Sequence, residues 1–235
     1  TMKYVYWIVG VILCLAGCGT TGPVFLLEDE VYEWVSAAGS VDPLSDQAPL
    51  IEDPTVTFQL SPGQRRSALQ TGDDWRIGQA YLFGFDVRLD PATLGPQPIT
   101  ISSLSRVTAP ESVIASVSLD RRRGVTVFGR SCIPVEKLSE WHRVEMRVRI
   151  ANNDTGFLEV FCDRQPIWAQ TNLRTVFPPV CRLQDGCDAA IAKPARFKWQ
   201  IGLISEKAVT RRVEIELQRL HQRVIFYIPN RVGTL

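Results

Sequence analysis

Several familiar chemistries are absent from these 235 residues. No Gly-rich dinucleotide fingerprint, P-loop, HExxH or GxSxG occurs, so dinucleotide, NTP, zincin and α/β-hydrolase functions have no support. The cysteines form no CxxC pair of the kind a four-thiolate zinc site uses, and neither a metal nor another cofactor is expected. Histidine occurs twice, as His142 and His221, which leaves few candidates for a general base. Internal repeats and low-complexity tracts are lacking, and few segments carry a helical period. The single long apolar run, Tyr4 to Ala16, falls short of the roughly 20 residues that span a bilayer as a helix.

That run has another reading. MKYVYWIVGVILCLAGC combines a short basic start, an unbroken apolar stretch and small residues at its end, the pattern of an export signal over residues 1–17. A transmembrane anchor is the alternative. Leu15-Ala16-Gly17-Cys18 resembles the lipobox of bacterial lipoproteins, which implies acylation of Cys18 and anchoring by lipid on a membrane that the chain does not cross. Gly19 stands where an inner-membrane retention signal usually has Asp, so the resemblance implies the outer membrane, on its periplasmic side.

With Cys14 in the signal and Cys18 lipidated, Cys132, Cys162, Cys181 and Cys187 remain. An even remainder in an oxidising compartment suggests two disulfides, and three pairings are possible. Cys132 with Cys162 and Cys181 with Cys187 is preferred, because the second pair closes the small loop CRLQDGC.

Charge is segregated. Residues 19–60 carry eight acidic side chains and no Lys or Arg, whereas residues 61–235 carry 25 basic and 17 acidic ones, a net of +8. An acidic tether over residues 18–54 is thus expected ahead of a basic body over residues 55–235. The tether has the composition of an extended, solvated spacer, and the body suits an anionic partner.

From Thr55 onward short apolar runs alternate between two faces and are separated by turn signals. YLFGFDVRL puts Tyr81, Phe83, Phe85, Val87 and Leu89 on one face, with Asp86 and Arg88 on the other. WHRVEMRVRI and GFLEVFCD flank ANNDTG, a hairpin signal. SVIASVSL and RRGVTVFGR enclose a turn at Asp120 to Arg122, and FKWQIGLI, VEIELQRL and VIFYI bring the set to at least eight strands. The architecture expected is all-β, a two-sheet antiparallel jelly-roll sandwich. His142 falls on an apolar face and is read as a satisfied core or edge histidine; His221, in QRLHQR, is read as a solvated turn at a strand end.

The pieces RRSALQ, GQAYLFGFDVRL, EWHRVEMRVRI, GFLEVFCDRQPIW and ARFKWQIGLI resemble, in order and spacing, the concanavalin A-like jelly-roll polysaccharide lyases that include alginate and heparin lyases. The likeness covers residues 55–228. It implies that RSEL-like, QIH-like and FKxGxY-like strands place an Arg, Gln, His and Tyr on a concave sheet, where polar groups neutralise a uronate carboxylate while Tyr or His removes the proton at C5. Here Arg66-Ser67-Ala68-Leu69 matches the first motif with Ala68 in place of Glu, and Phe197-Lys198-Trp199 opens the third with Leu203 near the tyrosine position. ITISSLSR would be the middle strand, and it contains neither Gln nor His. Charge neutralisation has candidates on these motifs; the base does not.

Arginine's planar fork fits carboxylate or sulfate in a bidentate manner. Polar strand faces carry Arg88, Arg147, Arg149, Lys198 and Gln200, with Asp86 and Glu159 among them, Arg147 pairing across the hairpin with Glu159. Arg66, Arg88, Arg147, Arg149, Glu159, Lys198 and Gln200 are therefore the candidate ligand residues for an acidic polysaccharide, expected to line one groove. The same residues as an ordinary solvated sheet face are the alternative. Arg121-Arg122-Arg123 reads as a solvated corner, and nucleic acid is not expected as a partner. A lipid-anchored envelope protein that binds an acidic polysaccharide is the first functional expectation. An active lyase using Arg66, Lys198 or Gln200 for charge neutralisation is the second, and a structural envelope lipoprotein the third.

Overall fold

A computed structural model describes residues 39–71, 75, 77–107, 112–175 and 196–225. The segment expected as an export signal, Cys18 and the expected Cys181–Cys187 pair lie outside the described residues. Among the described residues there are fourteen strands: β1 Gly39–Val41, β2 Leu50–Glu52, β3 Thr55–Leu60, β4 Arg66–Thr71, β5 Ala80–Arg88, β6 Ile99–Val107, β7 Ser112–Asp120, β8 Gly124–Val127, β9 Arg130–Ile133, β10 His142–Arg149, β11 Gly156–Cys162, β12 Gln165–Leu173, β13 Arg196–Ile204 and β14 Val213–Ile225. They form two antiparallel sheets of seven, ordered β1-β4-β13-β6-β7-β8-β9 and β12-β11-β10-β5-β14-β3-β2. Two short 3-10 turns, Pro91–Thr93 and Val135–Lys137, complete the regular structure among the described residues.

The alternation read from the sequence is what buries the core. In β10, Val144, Met146 and Val148 are fully buried while the intervening residues are half-exposed. Leu158, Val160 and Cys162 of β11 face the same interior, joined by Phe83, Phe85, Trp199 and Ile201 from strands of both sheets. Phe83 meets Trp199 edge-on at 5.1 Å and Trp75 at 4.9 Å, an aromatic packing that links the two layers. The indole of Trp199 donates to Ser102 Oγ at 2.8 Å, so a polar atom brought into the core keeps a partner.

Two boundaries differ from the sequence reading. The acidic stretch expected as tether supplies β1, paired with β4, and β2, paired with β3, so the folded body begins by residue 39. Edge strands need only one hydrogen-bonded neighbour, and three residues with modest apolar content suffice. VEIELQRL and VIFYI, expected as separate strands, are continuous in β14 through Ile225. Arg219, with φ of 51°, makes a bulge between Gln218 and His221, and the ladder to β5 resumes beyond it. His221 is consequently not in a solvated turn; it lies within the strand.

Cys132 and Cys162 are disulfide-bonded, with Cα atoms 5.7 Å apart. The bridge ties β9, an edge strand of one sheet, to β11 of the other.

Candidate functional site

The three motif strands of the sequence reading, β4, β6 and β13, are hydrogen-bonded side by side. Their core faces carry Leu69, Leu104, Trp199 and Ile201, which leaves Arg66, Gln70, Ser103, Ser105, Lys198 and Gln200 outward. Lys198 stands opposite Ser105, and Gln200 between Gln70 and Ser103. Serine thus occupies the middle strand where the resemblance implies Gln and His. Among the described residues no His or Tyr belongs to this sheet.

Two donors on this face already hold a carboxylate. Asp42, directly after β1, is 2% exposed, and its Oδ2 accepts from Arg66 Nη1 at 2.5 Å and from Gln200 Nε2 at 2.7 Å. Its Oδ1 accepts from the Leu44 backbone N–H at 2.9 Å, and its own N–H donates to Ala68 O at 3.0 Å. A carboxylate therefore stands beside the motif arginine, delivered by a neighbouring strand in place of the missing Glu at position 68. The sequence reading missed it because Asp42 fell in the presumed tether.

The other four candidates lie on the outer face of the second sheet, on the opposite side of the sandwich, so the seven do not share a groove. Registers arrange that face in rows. Arg88 is level with Glu216; Asp86 with Arg143 and Gln218; Gly84 with Glu145 and His221; Leu82 with Arg223 and Arg147, the latter opposite Glu159; Ala80 with Arg149. The Arg147 and Glu159 pairing read from the hairpin is present as a register pair. Arginines outnumber carboxylates along these rows. Asp86 is 1% exposed and accepts from Arg143 Nε at 3.0 Å and from Arg219 Nη2. Guanidinium groups also stack on rings: Arg88 over Trp141 at 4.6 Å and Arg147 over Phe161 at 4.4 Å. Beside Arg88, a cleft of about 560 Å³ opens between Asp90, Ser139, Arg212 and Glu216.

His142 behaves as the sequence reading expected. It is 7% exposed, with Nδ1 2.7 Å from Asp163 Oδ2 and Nε2 2.8 Å from Lys137 O, so neither nitrogen is left for a substrate. Asp163 also accepts from the Arg143 N–H, which ties the ring to the start of β10.

His221 is the residue the sequence misplaced. Its ring lies against the backbone of Gly84, where a Cβ would come within 2.5 Å of Nε2. Only glycine leaves that space. Nδ1 is 2.9 Å from Arg219 O, and a carbonyl only accepts, so Nδ1 carries the proton and Nε2 is a lone pair. Nε2 is buried and has no hydrogen-bond partner among the described residues. Burial holds the imidazole below its ordinary value of 6.5, and the Arg223 and Arg143 charges push the same way against the Arg219 carbonyl and Glu145. A His whose folded value is depressed binds its proton more readily when unfolded. The stability it contributes is thus complete above about pH 6.5 and is lost as pH falls through the folded value. Urea denaturation from pH 7.5 to pH 5 should show wild-type stability declining below about pH 6.5, and His221→Gln should flatten that decline; parallel curves would rule the linkage out.

Comparison with known proteins gives fold-level matches only. No protein-family model and no curated relative matches the sequence. Among solved structures, the chain is similar to an endo-β-1,4-glucuronan lyase from the fungus Trichoderma reesei at 14% identity and a TM-score of 0.53, covering 78% of this chain and 86% of that one. It is similar to the alginate lyase vAL-1 from Chlorella virus at 8% identity and a TM-score of 0.53, covering 78% and 90%. It is also similar to AlgAT5, an alginate lyase of polysaccharide lyase family 7, at 8% identity and a TM-score of 0.51, covering 77% and 84%. The shared feature is the jelly-roll fold of polysaccharide lyases.

Proposed function

We propose that this chain binds an acidic polysaccharide in the bacterial cell envelope, held to the periplasmic side of the outer membrane by lipid on Cys18. One observation carries the binding reading: Arg88, Arg147 and Arg149 share a sheet face with Arg143, Arg219 and Arg223, two of the six guanidinium groups stacked on rings. A polyuronate offers one carboxylate per sugar, and a row of planar forks matches that spacing of charge. On the lyase-motif face, Arg66 and Gln200 already donate to Asp42, which favours the arginine face of the other sheet as the place for a polyuronate.

A second reading, cleavage by β-elimination, is favoured by His221. A neutral imidazole with a fixed tautomer and a free Nε2 has the form of a base for the C5 proton, and nearby arginines could neutralise the charge that spreads onto the uronate carboxylate as the C4–O bond breaks. Because Nε2 is buried, this route requires β14 to open locally.

Calorimetric titration with alginate and glucuronan oligosaccharides tests the first reading. Wild-type affinity should fall as salt rises, Arg147→Ala should weaken it about tenfold, and no ultraviolet-absorbing unsaturated uronate should accumulate. Failure to bind any polyuronate would remove the reading. Growth of that absorbance, abolished by His221→Gln, would establish the second.

A further inference from the structure

The hairpin joining β8 and β9 spends stability on a residue that its own geometry disfavours. Val127 pairs with Arg130, leaving Phe128 and Gly129 as a two-residue loop. Their φ angles, 48° and 76°, are both left-handed, the pattern of a type I′ turn. Asn-Gly is the favoured dipeptide for such a turn, whereas a bulky side chain at positive φ is an outlier. Phe128 is also 43% exposed, so the residue combines backbone strain with apolar surface left in water.

What surrounds Phe128 gives that exposure a use. One side of its ring rests on Trp168 of β12, with centroids 4.8 Å apart. Trp168 in turn packs against the core, and Arg130 lies over it with Cζ 4.9 Å from the ring centroid. Arg130 is exposed and makes no ion pair among the described residues, so the edge of its guanidinium is available. Arg123 donates from Nη1 to Gly129 O at 2.9 Å and holds the turn from beneath. Two residues beyond Arg130, the Cys132–Cys162 bridge pins β9 to the strand beside β12. A rigid aromatic surface and a cation are thereby fixed together at the edge where the two sheets meet.

We propose that Phe128, braced by Trp168, is a stacking platform for one pyranose ring of an acidic polysaccharide, with Arg130 receiving that sugar's carboxylate or sulfate. This rests on the polysaccharide-binding reading and adds a subsite outside the arginine face. The C–H face of a pyranose is apolar and matches a phenyl ring, and an anionic substituent at the ring's rim meets the guanidinium edge. Anionic membrane could also exploit an exposed Phe beside Arg. The flat ring, fixed in position and backed by a second ring, suits a sugar better than a mobile acyl surface.

The turn geometry supplies the test. Phe128→Asn converts the loop to Asn-Gly, so the hairpin should keep or raise its thermal stability while affinity for hexameric mannuronate or glucuronate falls about five- to tenfold. Phe128→Trp should retain binding, and Arg130→Gln should lower affinity for the acidic hexamers and reduce its salt dependence. Equal affinities for wild type and Phe128→Asn would overturn the platform while leaving the broader reading intact. If wild type binds no acidic oligosaccharide, the broader reading fails and the platform with it. If Phe128→Asn binds the hexamers normally but loses sedimentation with phosphatidylglycerol vesicles, the surface is a membrane contact and the proposal is wrong. Were Phe128→Asn to lower the melting temperature sharply, Phe128→Trp and Arg130→Gln would still decide, because neither removes the ring that covers Trp168.

Discussion

Asp86→Ala is expected to cost about 3 kcal/mol of folding stability, measured as a shift in urea midpoint at unchanged slope. The carboxylate is buried in the middle of β5 and accepts from Arg143 on β10 and Arg219 on β14, so one side chain joins three neighbouring strands. Removing it takes away the buried carboxylate to which both guanidinium groups donate. Breaking a fully buried pair costs about 3–5 kcal/mol, and the lower end applies because Arg219 is 35% exposed and water can solvate it. The neighbouring Arg88 and Glu216 pair provides an internal control. Its members are 41% and 32% exposed, so Arg88→Ala should cost under about 1 kcal/mol. A loss for Asp86→Ala no larger than for Arg88→Ala would show that the carboxylate does not organise the face.

Removing the Cys132–Cys162 bridge is expected to have an effect of similar size. The disulfide closes a loop of 30 residues, and the loss of chain entropy from the unfolded state corresponds to about 3.5 kcal/mol. Cys132→Ser with Cys162→Ser should lower the urea midpoint accordingly, and reductant should shift wild type to the same value. A midpoint indifferent to reductant would mean that the two edges hold together without the bond. The functional consequence is separate from the global one. With β9 released from β11, the Phe128 turn and Trp168 lose their common brace, so oligosaccharide affinity should drop even at temperatures where the double variant remains folded.

Much of the architecture was legible because period-two alternation is a local property. Phe83 and Phe85 against Asp86 and Arg88, or Val144 and Met146 against Arg147, announce which face is apolar within a few residues. The ANNDTG turn announced the hairpin, and with it the Arg147 and Glu159 register pair. His142 was readable for the same reason, since its neighbours on the apolar side share its fate. Cys132 and Cys162 were readable as a preferred pair among three, although the choice needed the sheets to confirm it.

Long-range pairing and register were not legible. Which outward residues share a side depends on sheet membership, and strands far apart in sequence decide it. Lys198 and Gln200 therefore fall opposite Arg147 and Arg149 although all four are outward-facing by local pattern. Asp42 reaches Arg66 and Gln200 from a three-residue edge strand too short to announce itself. His221 was misread because one extra residue at Arg219 keeps the chain in its ladder where composition suggested a turn, and Gly84, on another strand, leaves the room for its ring. Side-chain alternation is written residue by residue along the chain, but the partners across a sheet and the space beneath a ring are set only when distant segments close against one another.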